Sequence, residues 1–139
     1  FQVGIRSHGM ARRVLREVAR YLRHDDKEAG KCVERIGHFL GELEALRTLT
    51  YFGAWKADQK LDVRTEAANV KLFGTELLHK VIDFALEAAG PSALRKQNII
   101  ARAFRHARSH RIVEGPSEIQ RHIIQRALFR EGVAVLELM

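Results

Sequence analysis

Proline is nearly absent from these 139 residues, occurring only at positions 91 and 116. Long stretches therefore lack the residue most damaging to a helix interior. Cysteine is rarer still. Cys32 stands alone, which excludes an intrachain disulfide, fits a reducing, intracellular setting and predicts a buried, inert thiol. No apolar run approaches the roughly 20 residues that span a bilayer, so no membrane span is expected. The opening FQVGIRSHGM carries neither an initiating Met nor the charged and apolar regions of a secretory leader. The chain is therefore expected to be a piece of a longer protein. Alternation of β-branched residues is also missing, which argues against strands.

What remains is rich in Leu, Ala, Glu, Arg and Lys at helical spacing, in a length that suits one domain over 1–139. The fold class expected is all-α, an antiparallel four-helix bundle with a short extra helix before the last one. A first helix is expected over Ile5 to Arg23, with Met10, Val14, Val18 and Leu22 on one face. His24 to Lys27 break it, and Asp25 and Asp26 suit the start of the next helix. The second, about Glu28 to Asp58, carries a wide stripe of Ile36, Phe39, Leu40, Leu43, Leu46, Leu49, Thr50 and Phe52. A third is expected from Val63 to Ala89, with Val70, Phe73, Leu77, Val81, Phe84 and Leu86 inward and Gly90-Pro91 ending it. A short helix over Asn98 to Ser109 precedes a last one from Ser117 to about Leu138.

The formal net charge of +7 favours polyanions: nucleic acid, acidic membranes or phosphate-rich cofactors. Arg102, Arg105, His106, Arg108, His110 and Arg111 form a basic stretch, but only Phe104 interleaves it, so nucleic-acid binding is not the expected role. Glu76 and His79 have the Glu-x-x-His spacing of a bundle metal ligand pair. No second such pair accompanies them, so no metal site is expected and both are read as solvated helix surface.

Glu114 is the remaining candidate. It is followed directly by Gly115, Pro116 and Ser117. Ser117 and Gln120 have capping-box spacing, Pro116 stiffens the entry, and Gly115 permits backbone angles that other residues resist. The residues alone leave two readings: an incidental carboxylate on a joint, or a group aimed at something.

The stretch RIVEGPSEIQRHIIQRAL resembles the closing motif of the acyl-CoA dehydrogenase family, through Ile112, Glu114, Gly115, Ser117 to Arg121, Ile123, Ile124, Arg126 and Leu128. AANVKLFGTELLHKVIDFALEAAG, GELEALRTLTYFGAW and GMARRVLREVARY are more loosely similar to other helices of the family's C-terminal domain. The resemblance implies a domain of an FAD-dependent enzyme that oxidises acyl-CoA thioesters to 2-enoyl-CoA, with Glu114 as the proton-abstracting base and the β-hydrogen leaving as hydride to flavin. It implies a homo- or hetero-oligomer formed through the bundles, an electron-accepting flavoprotein as partner, and a bacterial cytoplasm or mitochondrial matrix as location.

Three positions depart from the family's pattern. Pro116 stands where threonine is usual, which removes a hydroxyl and an amide near the flavin. Glu87 to Gly90, followed by Pro91, replace a Gln-x-x-Gly-Gly near the nucleotide. The arginine of the family's Arg-x-x-Phe-Gly is missing, with Arg20 or Arg23 as the nearest substitutes. Gly115, Pro116, Glu87, Gly90, Arg20 and Arg23 are thus the expected cofactor-side residues. The bland alternative is a non-catalytic bundle serving as an oligomerisation or binding module.

Overall fold

A buried valine, Val3, lies two residues into the first helix, α1 (Gln2–Leu22), which starts three residues before the expected Ile5. The Phe1 carbonyl accepts the Ile5 amide at 3.1 Å and opens the helix ladder there. The inward face is Val3, Ser7, Ala11, Val14, Val18 and Leu22, so Met10 sits at its margin. The computed structural model describes residues 1–23 and 26–130. His24 and Asp25, and the expected continuation of the last helix to Leu138, lie outside the described residues.

Four further helices follow: α2 (Asp26–Asp58), α3 (Arg64–Ala89), α4 (Ile99–His110) and α5 (Ser117–Arg130), with a short 3-10 turn at Gly90–Leu94. The all-α expectation holds. On α2 the core face is narrower than the stripe that the sequence suggests. Phe39, Leu43 and Leu46 are buried, whereas Leu40 and Phe52 are about half exposed. Among the described residues, helix α2 packs on α1 and α3 alone, so one side of its apolar stripe faces outward even mid-helix, at Leu40. Cys32 is buried at this helix's inner face and is a free thiol.

Helix α3 is the centre of the molecule and touches α1, α2, α4 and α5. Its burial covers most of the axis, with Val70, Leu77, Leu78, Val81, Ile82 and Phe84 all under 2 % exposed, while Lys80, Asp83 and Glu87 form an exposed side. A helix buried over so wide an arc is one packed by neighbours on several sides. Ion pairs Arg35–Glu87 and Lys56–Glu66 set α2 antiparallel to α3. The short α4 packs into the bundle against α1 and α3, whereas α5 packs on α3.

Backbone contact fixes how α1 approaches α3. A Cβ added at Gly4 would lie 2.5 Å from the Val70 carbonyl oxygen, and one at Gly74 would lie 3.0 Å from the Gly4 backbone. Only glycine at both positions lets the two helices come this close. At the far end, Gly90 ends α3 as expected, with φ of 61° and its amide bonded to the Leu86 carbonyl.

Candidate functional site

Between α4 and α5 the chain changes direction in six residues. The amides of Ile112 and Val113 both bond the Ser109 carbonyl at 3.0 Å, which spends the last turn of α4. Glu114 then takes a φ of 56° and Gly115 a φ of 88°. The left-handed region costs a residue with a Cβ on the order of 1–2 kcal/mol, so something must hold Glu114 there.

Three side chains do so. Lys71, on α3 and only 3 % exposed, donates its ammonium to the Gly115 carbonyl. Gln120, on the first turn of α5, donates its amide to the carbonyls of Glu114 and Gly115 at 3.0 and 3.2 Å. Glu76, one turn along α3 from Lys71, accepts from the Arg111 guanidinium and, at 3.0 Å, from the Ser117 hydroxyl. The turn is therefore gripped before, at and after Glu114.

Ser117 and Gln120 do not form the capping box that their spacing suggests. The Ser117 hydroxyl donates to Glu76 instead of accepting a helix amide, and Pro116 supplies the carbonyl that takes the Gln120 amide at 3.2 Å. Gln120 reaches back further than a capping box does, to the two carbonyls of the turn. Tertiary partners on α3 win over the local pattern.

Glu76 and His79 are likewise not solvated surface. Glu76 is half-buried; burial pushes its carboxyl up, but the Ser117 hydroxyl and the Arg111 charge outweigh this and hold it below the usual glutamate value. His79 is buried, with Nδ1 donating to the Thr75 carbonyl at 2.8 Å. Burial, and then the charges of Arg111 and Arg108, lower its pKa in spite of that bond. The two residues serve separate partners, and among the described residues no cluster of three or more His, Cys, Asp or Glu could take a metal ion.

The Glu114 side chain itself is exposed, and its carboxylate has no hydrogen-bond partner among the described residues. It lines a cleft of about 640 Å³ together with Lys71, Gln120, Ala68, Ile123 and Arg126. Charges on the far wall are already matched. Lys56 pairs with Glu66 at 2.5 Å, and Arg64 pairs with Asp62, whose carboxyl is lowered to about 2 by the Arg64 side chain and amide. Glu66 keeps one oxygen without a hydrogen bond, but Glu114 is the carboxylate here with no ion-pair or hydrogen-bond partner among the described residues. Burial pushes the neighbouring Lys71 ammonium below the ordinary lysine value against the pull of Glu114, Glu118 and Glu76.

The other expected site residues collect elsewhere. Tyr21 on α1 bonds Asn98 at 2.6 Å, which joins the end of α1 to the segment after Gly90. Arg20, Arg23, Glu87 and Gly90 therefore share the end of the bundle away from Glu114, Gly115 and Pro116. Lys71 and Glu87 alone are sixteen positions apart on α3, about 24 Å. A flavin pyrophosphate needs cations and free backbone N–H groups. Arg20 is engaged by Glu17 at 3.0 Å, Glu87 by Arg35 at 2.7 Å, Pro116 has no N–H, and the carbonyls of the turn are taken. Arg23 is exposed at the end of α1. These six positions are not brought together at one place within this chain.

Lys71 and Glu76 stand within the stretch AANVKLFGTELLHKVIDFALEAAG, but no local pattern there or at Arg111 names the partners, which lie 35 to 44 residues away. One signal was available for Lys71. It stands between Ala68, Val70, Leu72 and Phe73, in a mostly apolar stretch of α3 where a lysine is an exception.

The class defined by the structure is an all-α bundle whose braced turn presents an exposed carboxylate at a cleft. The chain belongs to the acyl-CoA dehydrogenase C-terminal domain family, whose model matches residues 1–129. A relative among known proteins is (R)-benzylsuccinyl-CoA dehydrogenase of Thauera aromatica, 42 % identical over 92 residues, which are 66 % of this chain and 23 % of that protein. The acyl-CoA dehydrogenase of Geobacillus kaustophilus superposes with a TM-score of 0.84 at 21 % identity, over 91 % of this chain and 35 % of that one. PigA, solved with FAD and proline, superposes with a TM-score of 0.83 at 25 % identity, over 94 % and 37 %. The chain thus spans about a quarter of the curated relative and about a third of each of these structures. Among the described residues no helix is long and apolar enough to cross a membrane.

Proposed function

We propose that this chain is the C-terminal domain of an FAD-dependent acyl-CoA dehydrogenase-like enzyme, and that Glu114 is the base that takes the proton from the carbon next to the thioester carbonyl. The observation that carries the reading is the state of Glu114. Its backbone is held in a left-handed conformation by ties to its own carbonyl and that of Gly115, while its carboxylate is left without a hydrogen-bond partner at a cleft.

The chemistry asks for that arrangement. A thioester acidifies its α C–H only modestly, so a base must be placed at the reacting atom in advance. A carboxylate tethered to a mobile loop would lose its advantage to orientational freedom. On this turn the strain is met by protein–protein bonds, and the acceptor oxygens remain available to substrate. Membership of the family, the benzylsuccinyl-CoA dehydrogenase relative and the FAD-bound neighbour support the substrate class and the cofactor of the whole protein. Residues beyond this bundle hold the flavin in this reading, because Arg20, Glu87 and Pro116 are unsuited to it.

In the full-length protein, Glu114→Gln is expected to lower kcat for a saturated acyl-CoA by roughly 10²–10⁴-fold, with unchanged helical circular dichroism. Turnover within a few-fold of the unaltered enzyme would remove Glu114 from the chemistry.

A further inference from the structure

We propose that Lys71 is a positioning residue for the base, the link that fixes the Glu114 turn to the core of the bundle; this rests on Glu114 being the base. A lysine 3 % exposed in the central helix carries a large desolvation cost, and its ammonium is committed to a backbone carbonyl, not to a carboxylate. That carbonyl belongs to Gly115, so the bond fixes the Gly115–Pro116 peptide, one residue beyond Glu114.

The three braces of the turn are not equivalent. Gln120 is only five and six residues from the carbonyls it holds, and it starts the helix that the turn feeds. Its bonds stiffen the turn internally but travel with it. Glu76 ties down the two ends, Arg111 and Ser117. Lys71 is the group that reaches the middle of the turn from α3, the helix with contacts to every other one. Without it the turn keeps its shape and its ends but loses its height above the cleft floor. Glu114, Glu118 and Glu76 surround the ammonium and favour its charged state. The bond is thus charge-assisted, and such bonds are roughly twice as strong as neutral ones.

The test uses the full-length protein and three variants: Lys71→Met, which keeps length and apolar bulk without the donor, Lys71→Arg, which keeps a cationic donor, and Glu114→Gln. Amide hydrogen exchange over residues 111–118 is read beside kcat and KM. Lys71→Met is expected to speed exchange in that segment and to lower kcat by about 10²-fold at nearly constant KM, the loss typical of a group displaced by about 1 Å. Lys71→Arg is expected to recover much of both. Unchanged exchange in Lys71→Met would overturn the proposal whatever the activity, and so would faster exchange with full kcat while Glu114→Gln is inactive. Full turnover by Glu114→Gln would instead remove the base assignment, and with it the positioning role, leaving the exchange result to report on the turn alone. Loss of activity in Lys71→Met that accompanies global unfolding, with Lys71→Arg folded yet equally inactive, would also overturn it.

Discussion

Glu114 has φ of 56° and Gly115 φ of 88°, and the two angles together make the bend. At residue scale the sequence was legible here. A carboxylate followed by glycine and proline announces a turn, and glycine announces a backbone angle that other residues avoid. Which bonds sustain it was not legible, because Lys71 and Gly115 are 44 residues apart and a lysine's partner leaves no local pattern. Gly115→Ala should therefore be costly for two reasons. Its Cβ would sit in a left-handed conformation and lie 2.9 Å from the Gln120 amide nitrogen, which holds the turn. A loss of about 1–3 kcal/mol in unfolding free energy is expected, measured by denaturant titration. An unaffected midpoint would show that the turn carries no such strain.

At the scale of elements, the apolar periodicity of 3.6 found every helix, because each long helix buries one face or more. It failed at margins. The start of α1 leaves little pattern, because Gln2 to Ser7 bury Val3, Gly4 and Ser7, of which only one is a large apolar residue. Leu40 and Phe52 share the apolar stripe yet are half exposed, because periodicity cannot tell a core neighbour from an uncovered face. The Gly4–Gly74 approach left no pattern either, since glycine in a helix has many explanations. It makes a sharp expectation, however. Gly74→Val would put its side chain into the Gly4 backbone at 3.0 Å, prise α1 from α3 and cost about 1–3 kcal/mol or more. Thermal unfolding of Gly74→Val against Gly74→Ala, the smaller intrusion, measures it; equal midpoints for all three forms would mean that the helices do not pack this closely.

For the whole molecule, titration links the core to the site. Burial lowers the pKa of His79 and of His110 below 6.5, and the Arg111 and Arg6 charges respectively add to this. His110 also shares a hydrogen bond of 2.9 Å with buried Ser7, which ties α4 to α1. In the unfolded chain both histidines titrate near 6.5, so above that value neither state is protonated. Below it the unfolded chain binds protons that the fold refuses, and stability falls until the lowered folded pKa values are reached. Glu76 adds a second window: its lowered carboxyl contributes stability that is present above 4.5 and lost as pH falls from there. The melting temperature should thus decline from about pH 6.5 downward and more steeply below about pH 4.5. His110→Gln should shrink the first decline; an identical slope in both forms would show that His110 is not part of it.

Proton abstraction is the claim on which the functional account turns, and it can be observed apart from dehydrogenation. The most direct measurement is exchange of the substrate's α-hydrogen with heavy water, catalysed by the full-length protein on an acyl-CoA and followed by mass spectrometry. The unaltered protein should wash deuterium into the α-position, and Glu114→Gln should lose this by roughly 10²–10⁴-fold while remaining folded. Exchange that proceeds equally well in Glu114→Gln would contradict the account at its centre.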